Sequence, residues 1–265
     1  KLANVSIATV SIVVNNSPKV SPKTKEKVFA VMKENEYTPN AFARGLGLGS
    51  MKTVGIICPN IDYIYMAKAV SYLEQNLHAH GYDCILGCSG FKQEEKEDYV
   101  RLLLSKKIDT LILVGSTYAG NGKDESDTDY IREAAEQVSI FMINAKVSGD
   151  NIYCTYADDF QATYEVTKAF IRRVKEKILF MYDSESYSAR QKMAGYEAAL
   201  QDAGYPIRGN LKFKTKNDIE YTRDMLLEYN RILDFDSVLA TEDGIAIGAV
   251  KYAKIKGLAI PEELA

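Results

Sequence analysis

Polar and aromatic side chains gather just after the short apolar runs of this chain. Asp62, Tyr63 and Tyr65 follow "TVGIIC", Asn144 follows "SIFMI", and Asp158 and Asp159 follow "CTY". Asp183 to Arg190 follow "ILFMY", and Glu242 and Asp243 follow "SVLAT". Aromatic rings stack on the C–H faces of sugars, while carboxylates and a guanidinium bond hydroxyls in pairs. Each residue also has a local reading. Asp62 and Asp158 can cap helices, and Glu242 with Asp243 can open the last helix, where anions suit the dipole. Catalysis finds few of its parts. His78 and His80 share one helix end with no nucleophile close by in sequence, and "GCSGF" misses the G-x-S-x-G elbow by one place. Cys58, Cys84, Cys88 and Cys154 lack zinc-ligand spacing. The sequence reads as a binder with no catalytic residues, no metal and no cofactor, not as an enzyme.

Strand-like runs and helical stretches alternate after residue 50 and would position these groups. "TVGIIC", "YDCILG", "DTLILVG" and "SIFMIN" are the first runs, with helices expected near 65–80, 97–107 and 130–137. "NIYCTY", "KILFMY", "LKFKT" and "SVLAT" repeat the rhythm, with helices expected over 160–173, 188–203, 219–232 and 244–256. Short strands alternating with longer helices mean βαβ units and parallel sheets. The expected fold class is α/β: two doubly wound parallel-sheet subdomains with a cleft between them at the strands' carboxyl ends.

The first 50 residues differ in charge. They hold seven basic and three acidic groups, a net of +4, which leaves −7 for the rest of a chain whose total is −3. A basic head on an acidic body points to a nucleic-acid contact confined to the head. In "NVSIATVSIVVNNSPKVSPKTKEKV", Asn4 suits a left-handed helix stop and Ser6 a cap for the next helix. Val10, Val13 and Val14 would pack inward, leaving Ile7, Ala8, Ser11, Ile12 and Asn15 outward. Ser21 and Pro22 open a further helix with Val28, Val31 and Met32 as its inner stripe. Small side chains let a helix sink into the major groove, where hydroxyls and amides reach phosphates and base edges. Two readings remain at this point: a helix-turn-helix head and a small helical subdomain without a DNA role.

The run "LANVSIATVSIVVNNSPKVSPKTKEKVFAVMKENEYTPNAFARGLG", with "MKTVGII" and "MAGYEAALQDAGY" further on, resembles the LacI/GalR family of transcriptional regulators over the whole chain. The resemblance implies a small all-α helix-turn-helix headpiece over 1–50, with a hinge helix at about 39–47, and an effector-binding core over 51–265. The core would divide into an N-subdomain at about 51–148 and a C-subdomain at about 149–265. It implies DNA contacts by Ser6, Ile7, Ala8, Thr9, Ser11, Ile12, Asn15, Ser21, Thr24, Tyr37, Asn40, Ala43 and Leu46. Leu46 would wedge between base pairs in the minor groove. Ile12 departs from the family, which usually carries a guanine-reading arginine there; isoleucine has no bidentate guanine contact. The resemblance also marks Arg190 as the effector-gripping arginine and Asp62, Tyr65, Asn144, Asp159 and Asp243 as effector-lining. Tyr63 and Glu242 join them as candidates, Glu242 standing where many members carry Asn or Thr.

The function implied is that of a dimeric regulator, expected to be a repressor of a pseudo-palindromic operator. Its effector would be a sugar or sugar phosphate, with a nucleobase or a co-regulator phosphoprotein as alternatives. A solute-binding receptor of the periplasmic type shares the core but predicts no basic head. The resemblance further implies a sequence trimmed at both ends. No apolar run reaches the roughly 18 residues of a membrane span, so no membrane partner is expected. The cysteines read as reduced core thiols of a cytoplasmic protein. One extended strand would hold Cys84 and Cys88 too far apart for a disulfide.

Overall fold

The computed structural model describes residues 2–14, 19–37, 49–120, 125–173 and 175–265. The head is built on helices α1 (Ile7–Val14) and α2 (Pro22–Glu34). Asn4 takes the left-handed conformation, φ 49°. The Ser6 hydroxyl accepts from the Thr9 amide at 3.0 Å, and the Ser21 hydroxyl accepts from the Thr24 amide at 3.3 Å. Each cap satisfies an amide that the first helical turn leaves without a partner. Ala3, Val13 and Val28 form a small core with Val10, Val31 and Met32 against it. Ile7, Ala8 and Ser11 are exposed, as the helical spacing predicts, and Ile12 is half-buried. The hinge segment and Asn15, Asn40, Ala43 and Leu46 lie outside the described residues.

The larger part begins with a parallel sheet in the order β2-β1-β3-β4-β5. Its strands are β1 (Thr53–Cys58), β2 (Asp83–Cys88), β3 (Thr110–Val114), β4 (Ser139–Ile143) and β5 (Ile152–Thr155). Helices α3 (Ile64–Ala79), α4 (Gln93–Ser105) and α5 (Asp129–Ala135) cross over it. Alternate residues of the central strands feed two cores. Ile57, Leu111, Leu113, Ile140 and Met142 pack with Val100 and Leu103 of α4 and Ile131 of α5. Val54, Ile56, Ile112 and Val114 pack with Val70 of α3. Burial on both faces is why β1 and β3 read as unbroken apolar runs.

A second parallel sheet has the order β7-β6-β8, from β6 (Ile178–Tyr182), β7 (Lys212–Lys214) and β8 (Ser237–Ala240). Around it run α6 (Asp159–Arg172), α7 (Tyr187–Asp202), α8 (Ile219–Tyr229) and α9 (Asp243–Lys256). Phe180 stacks on Tyr196 of α7, while Leu179 and Met181 bury with Leu226, Ile245 and Tyr252 of α8 and α9. Gly195 of α7 sits against α6: a Cβ there would stand 2.2 Å from the Phe160 carbonyl oxygen. Only glycine permits that approach.

One strand departs from the expected grouping. The sequence rhythm assigns "NIYCTY" to the second subdomain, yet β5 pairs with β4, Phe141 facing Tyr153, and ends the first sheet. The described chain passes to the second lobe over residues 156–158. The cysteines also differ in part: Cys58 is buried but Cys88 is exposed, and the two are register partners on β1 and β2. Burial pushes the Cys58 thiol up to about 12, with Cys88 beside it adding to the effect, so it is an unreactive thiol. No helix among the described residues is long and apolar enough to cross a membrane.

The entry into β1 is clamped. The Asp109 carboxylate accepts from the Ser50 hydroxyl at 3.2 Å, the Met51 amide at 3.1 Å and the Thr53 amide at 2.9 Å. The Asp109 amide donates in turn to the Thr53 carbonyl at 2.8 Å.

Candidate functional site

The carboxyl ends of both sheets open onto one cavity of about 790 Å³. Parallel strands place all their carboxyl-end loops on the same edge, so two such sheets facing each other build a cleft from loops alone. From the first lobe come Tyr63, Tyr65 and Met66 after β1, Phe91 after β2, Gly115 to Thr117 after β3, and Asn144 after β4. From the second come Asp183 to Ser186 after β6, Lys214 at the end of β7, and Thr241 to Asp243 after β8.

Local backbone explains several of these placements. Asn144 ends β4 at φ 61°, its amide held by the Thr155 carbonyl at 2.7 Å. Asparagine tolerates the left-handed region better than most residues. Gly115 stands at φ 125°, where a Cβ would also press Met66 at 3.2 Å. The Ser186 hydroxyl caps α7 by accepting from the Ala189 amide at 3.3 Å. Tyr63 meets Phe91 edge to face with ring centroids 6.2 Å apart, which gives the first-lobe wall an aromatic surface.

Charge is distributed unevenly. Burial holds the Glu242 carboxyl above its ordinary range; Lys192 opposes this, and Asp183, Asp243 and Asp159 add to it. Burial, with Asp183 and Glu242 across the cleft, likewise raises the Tyr63 phenol. Burial and Asp159 raise Tyr65. Both phenols therefore stay protonated and able to donate at neutral pH. Lys96, only 5% exposed, donates to the Thr117 carbonyl at 3.1 Å, and burial lowers its pKa. Lys192 donates to the Thr241 carbonyl at 3.0 Å. The Thr241 hydroxyl is buried and has no hydrogen-bond partner among the described residues.

Of the expected effector residues, Tyr63, Tyr65, Asn144, Glu242 and Asp243 line the cavity. Asp62, Asp159 and Arg190 stand outside its wall. Asp62 is exposed, in a turn where its amide donates to the Asn60 side chain at 2.9 Å. Asp159 is the first residue of α6 and acts on the cavity through its charge. Arg190 turns its guanidinium onto the Glu185 carbonyl at 3.1 Å and the Gly120 carbonyl at 3.4 Å, joining the rims of the two lobes. The local alternative fits Asp158, whose carboxylate caps α6 by accepting from the Gln161 amide at 2.9 Å. It also fits Glu242 and Asp243, which stand at the cap position and in the first turn of α9, where anions suit the dipole, although the Glu242 side chain makes no capping bond. Gln93, Lys96, Ser188 and Lys192 also line the cavity. Ser188 falls in the run after β6, but strand-end reasoning misses Gln93, Lys96 and Lys192 because they sit on helices. Lys96 does leave a trace in the sequence: with Val100 and Leu103 it lies at i, i+4 and i+7 on the buried stripe of α4, where a lysine needs a partner.

Among the described residues, no group of three or more His, Cys, Asp or Glu side chains could hold a metal ion. On the head, Ser6, Ile7, Ala8 and Ser11 share the exposed side of α1, with Ser21 exposed at the start of α2. Thr9 and Thr24 spend their hydroxyls on Ser6 at 2.8 Å and Ser21 at 3.0 Å. Tyr37 is exposed beyond α2.

Residues 1–40 match the family model described as bacterial regulatory proteins, lacI family. Residues 51–265 match that of periplasmic binding proteins and sugar binding domain of LacI family. An HTH-type transcriptional regulator of Lachnoclostridium phytofermentans is 45% identical over 99% of this chain and 78% of its own length. Catabolite control protein A of Priestia megaterium is 29% identical, again over 99% and 78%. In fold, the chain matches the lac repressor dimer bound to operator and the anti-inducer ONPF, with a TM-score of 0.84 at 21% identity. That match covers 100% of this chain and 78% of the repressor chain.

Proposed function

The chain belongs to the LacI family of bacterial regulatory proteins, and on that premise we propose that it is a homodimeric repressor whose operator affinity is set by a sugar-like effector between its two lobes. At the coarser level it is a DNA-binding transcriptional regulator with a ligand-binding domain of the periplasmic-binding type, and not an enzyme. Residues 1–50 serve as the DNA-binding head, with its hinge at about 39–47, and 51–265 as the effector core. The lobes divide near 148–149 by the sequence rhythm, or after Thr155 by sheet membership.

The observation that carries the effector reading is the inter-lobe cavity, with Tyr63, Tyr65 and Phe91 on one side and hydroxyls and carboxylates on the other. Rings suit the C–H faces of a pyranose, and the polar groups suit its hydroxyls. An occupant touching both lobes favours one angle between them. In a dimer that angle sets the spacing of two heads against two half-sites, so effector and operator affinities are thermodynamically linked. On the head, α1 would enter the major groove with Ser6, Ile7, Ala8, Ser11 and Ile12, and Tyr37 would reach the backbone.

Footprinting on genomic fragments, with and without a panel of hexoses, tests the proposal. The expected result is a protected pseudo-palindrome whose salt-dependent affinity shifts when one hexose is added. Protection that no hexose changes would sink the effector class, and protection of a single asymmetric half-site would sink the dimeric mode.

A further inference from the structure

Among the described residues that line the cleft, carboxylates outnumber cations. Asp127, Asp183, Glu185, Glu242 and Asp243 line the cavity against Lys96, Lys192 and Lys214. Each lysine already serves an acceptor of the protein. Lys96 and Lys192 donate to the main-chain carbonyls of Thr117 and Thr241, at 3.1 and 3.0 Å, and Lys214 pairs with Glu185 at 3.3 Å. Lys192 stands 3.9 Å from the Glu242 carboxylate, too far for a hydrogen bond. The guanidinium of Arg190 faces main-chain carbonyls at the rim. Among the described residues, the second-lobe wall therefore holds Asp183, Glu185, Glu242 and Asp243 beside two lysines: Lys214, paired with Glu185, and Lys192, which donates to Thr241 and is ion-paired with Glu242 alone.

A second observation comes from the same wall. Thr241 is 9% exposed, lines the cavity, and its hydroxyl has no partner among the described residues. A buried hydroxyl without a partner is destabilising unless something arrives to satisfy it. Tyr63 lines the opposite wall of the cavity, from the first lobe.

We infer that the cleft takes an amine-bearing sugar, its ammonium seated among Asp183, Glu242 and Asp243 and one of its oxygens bonded by the Thr241 hydroxyl. The inference rests on the sugar-effector reading and narrows it. An ammonium has three donors and no acceptor, which matches a wall of carboxylates. A phosphate ester would add like charge to a partly desolvated site where repulsion is weakly screened.

The test titrates the intact protein calorimetrically with glucose, glucosamine, N-acetylglucosamine and glucose 6-phosphate, and with the same four derivatives of galactose. The free amine of one series is expected to bind roughly tenfold or more tighter than its parent hexose. Acetylating the amine, which removes the charge but keeps the skeleton, should erase the advantage, and the phosphate ester should give no heat. Asp183→Asn and, independently, Glu242→Gln should each shrink the amine's advantage while the parent hexose still binds. Either substitution should also raise the melting temperature of the ligand-free protein by relieving the crowded charge. A phosphate ester that binds more tightly than its parent, or an amine no better than its parent, overturns this inference and leaves the sugar reading standing. Binding by none of the eight overturns both. A fall in melting temperature in both variants would show that the carboxylates are not in excess.

Discussion

Replacing Thr241 by valine turns the orphan hydroxyl into a measurement. The side chain is 9% exposed and its hydroxyl has no partner among the described residues, while its amide donates to the Met181 carbonyl at 2.9 Å. Valine keeps the branched shape and that main-chain bond, exchanging only the hydroxyl for a methyl. An unsatisfied buried polar group costs about 1–3 kcal/mol, so Thr241→Val should stabilise the ligand-free protein by roughly 1–2 kcal/mol. For a core of this size that is a rise of about 2–8 °C in melting temperature, at roughly 2–4 °C per kcal/mol. Glucosamine binding should weaken in the same variant. One neutral hydrogen bond is worth about 0.5–1.5 kcal/mol, or roughly 2- to 12-fold in affinity. Thr241→Ser, which keeps the hydroxyl and drops the methyl, should gain no stability and should retain ligand binding. The assay is thermal denaturation of the three proteins with and without ligand. A Thr241→Val protein that melts lower than its parent would refute the reasoning, because the hydroxyl would then have a stabilising partner in the ligand-free protein.

Glu242 carries a pH dependence of unusual sign. Its folded-state pKa is raised above the ordinary 4.5 by burial and by Asp183, Asp243 and Asp159, against Lys192, so the folded chain holds that proton more tightly than the unfolded one. The stability it contributes is present below pH 4.5 and is lost as pH rises through the raised value. Glu242→Gln should flatten that decline in melting curves recorded from about pH 4.5 upward. Gly195→Ala forces a methyl to 2.2 Å from the Phe160 carbonyl oxygen. It should destabilise the second lobe by about 1–3 kcal/mol or more in denaturant titration, and an unchanged midpoint would mean that α6 and α7 separate easily. Ser21→Ala removes the bond to the Thr24 amide and should cost α2 about 1 kcal/mol, seen as faster hydrogen exchange in its first turn and weaker operator binding. Ile12→Arg supplies a bidentate donor and should shift operator preference toward guanine at one position per half-site by about 1–3 kcal/mol, measured by selection from randomised duplexes.

Much of the fold is legible in the sequence because parallel sheets buried on both faces write themselves as unbroken apolar runs. "KILFMY" is central to its sheet and buried through Met181; "NIYCTY" alternates half-buried and exposed residues. That alternation marks an edge strand, and it is the local sign that β5 finishes one sheet instead of starting another. Which sheet it joins depends on long-range packing that no local pattern encodes. The cleft is legible in its loops, since carboxyl ends of strands must converge. Of its helix-borne lysines only Lys96 leaves a sign, on the buried stripe of α4; Lys192 does not, because a lysine on a helix usually reads as a solvated face. Arg190 stands out in sequence by a motif, but its hydrogen bonds belong to carbonyls on both rims, and geometry of that kind is absent from sequence.

The Asp109 clamp bears on how a signal leaves the core. A displacement passed along a chain of elements is divided among them in proportion to their compliance, so the softest member absorbs most of it. Three donors from residues 50, 51 and 53 converge on one carboxylate at the base of β3, and an ionised acceptor makes such bonds roughly twice as strong as neutral ones. The joint between β1 and the segment leading to the head is thereby stiff. On the proposed effector mechanism, a small shift of the first lobe would arrive at Ser50 largely undiminished, and the leverage on the operator would be set by the lobe's own movement.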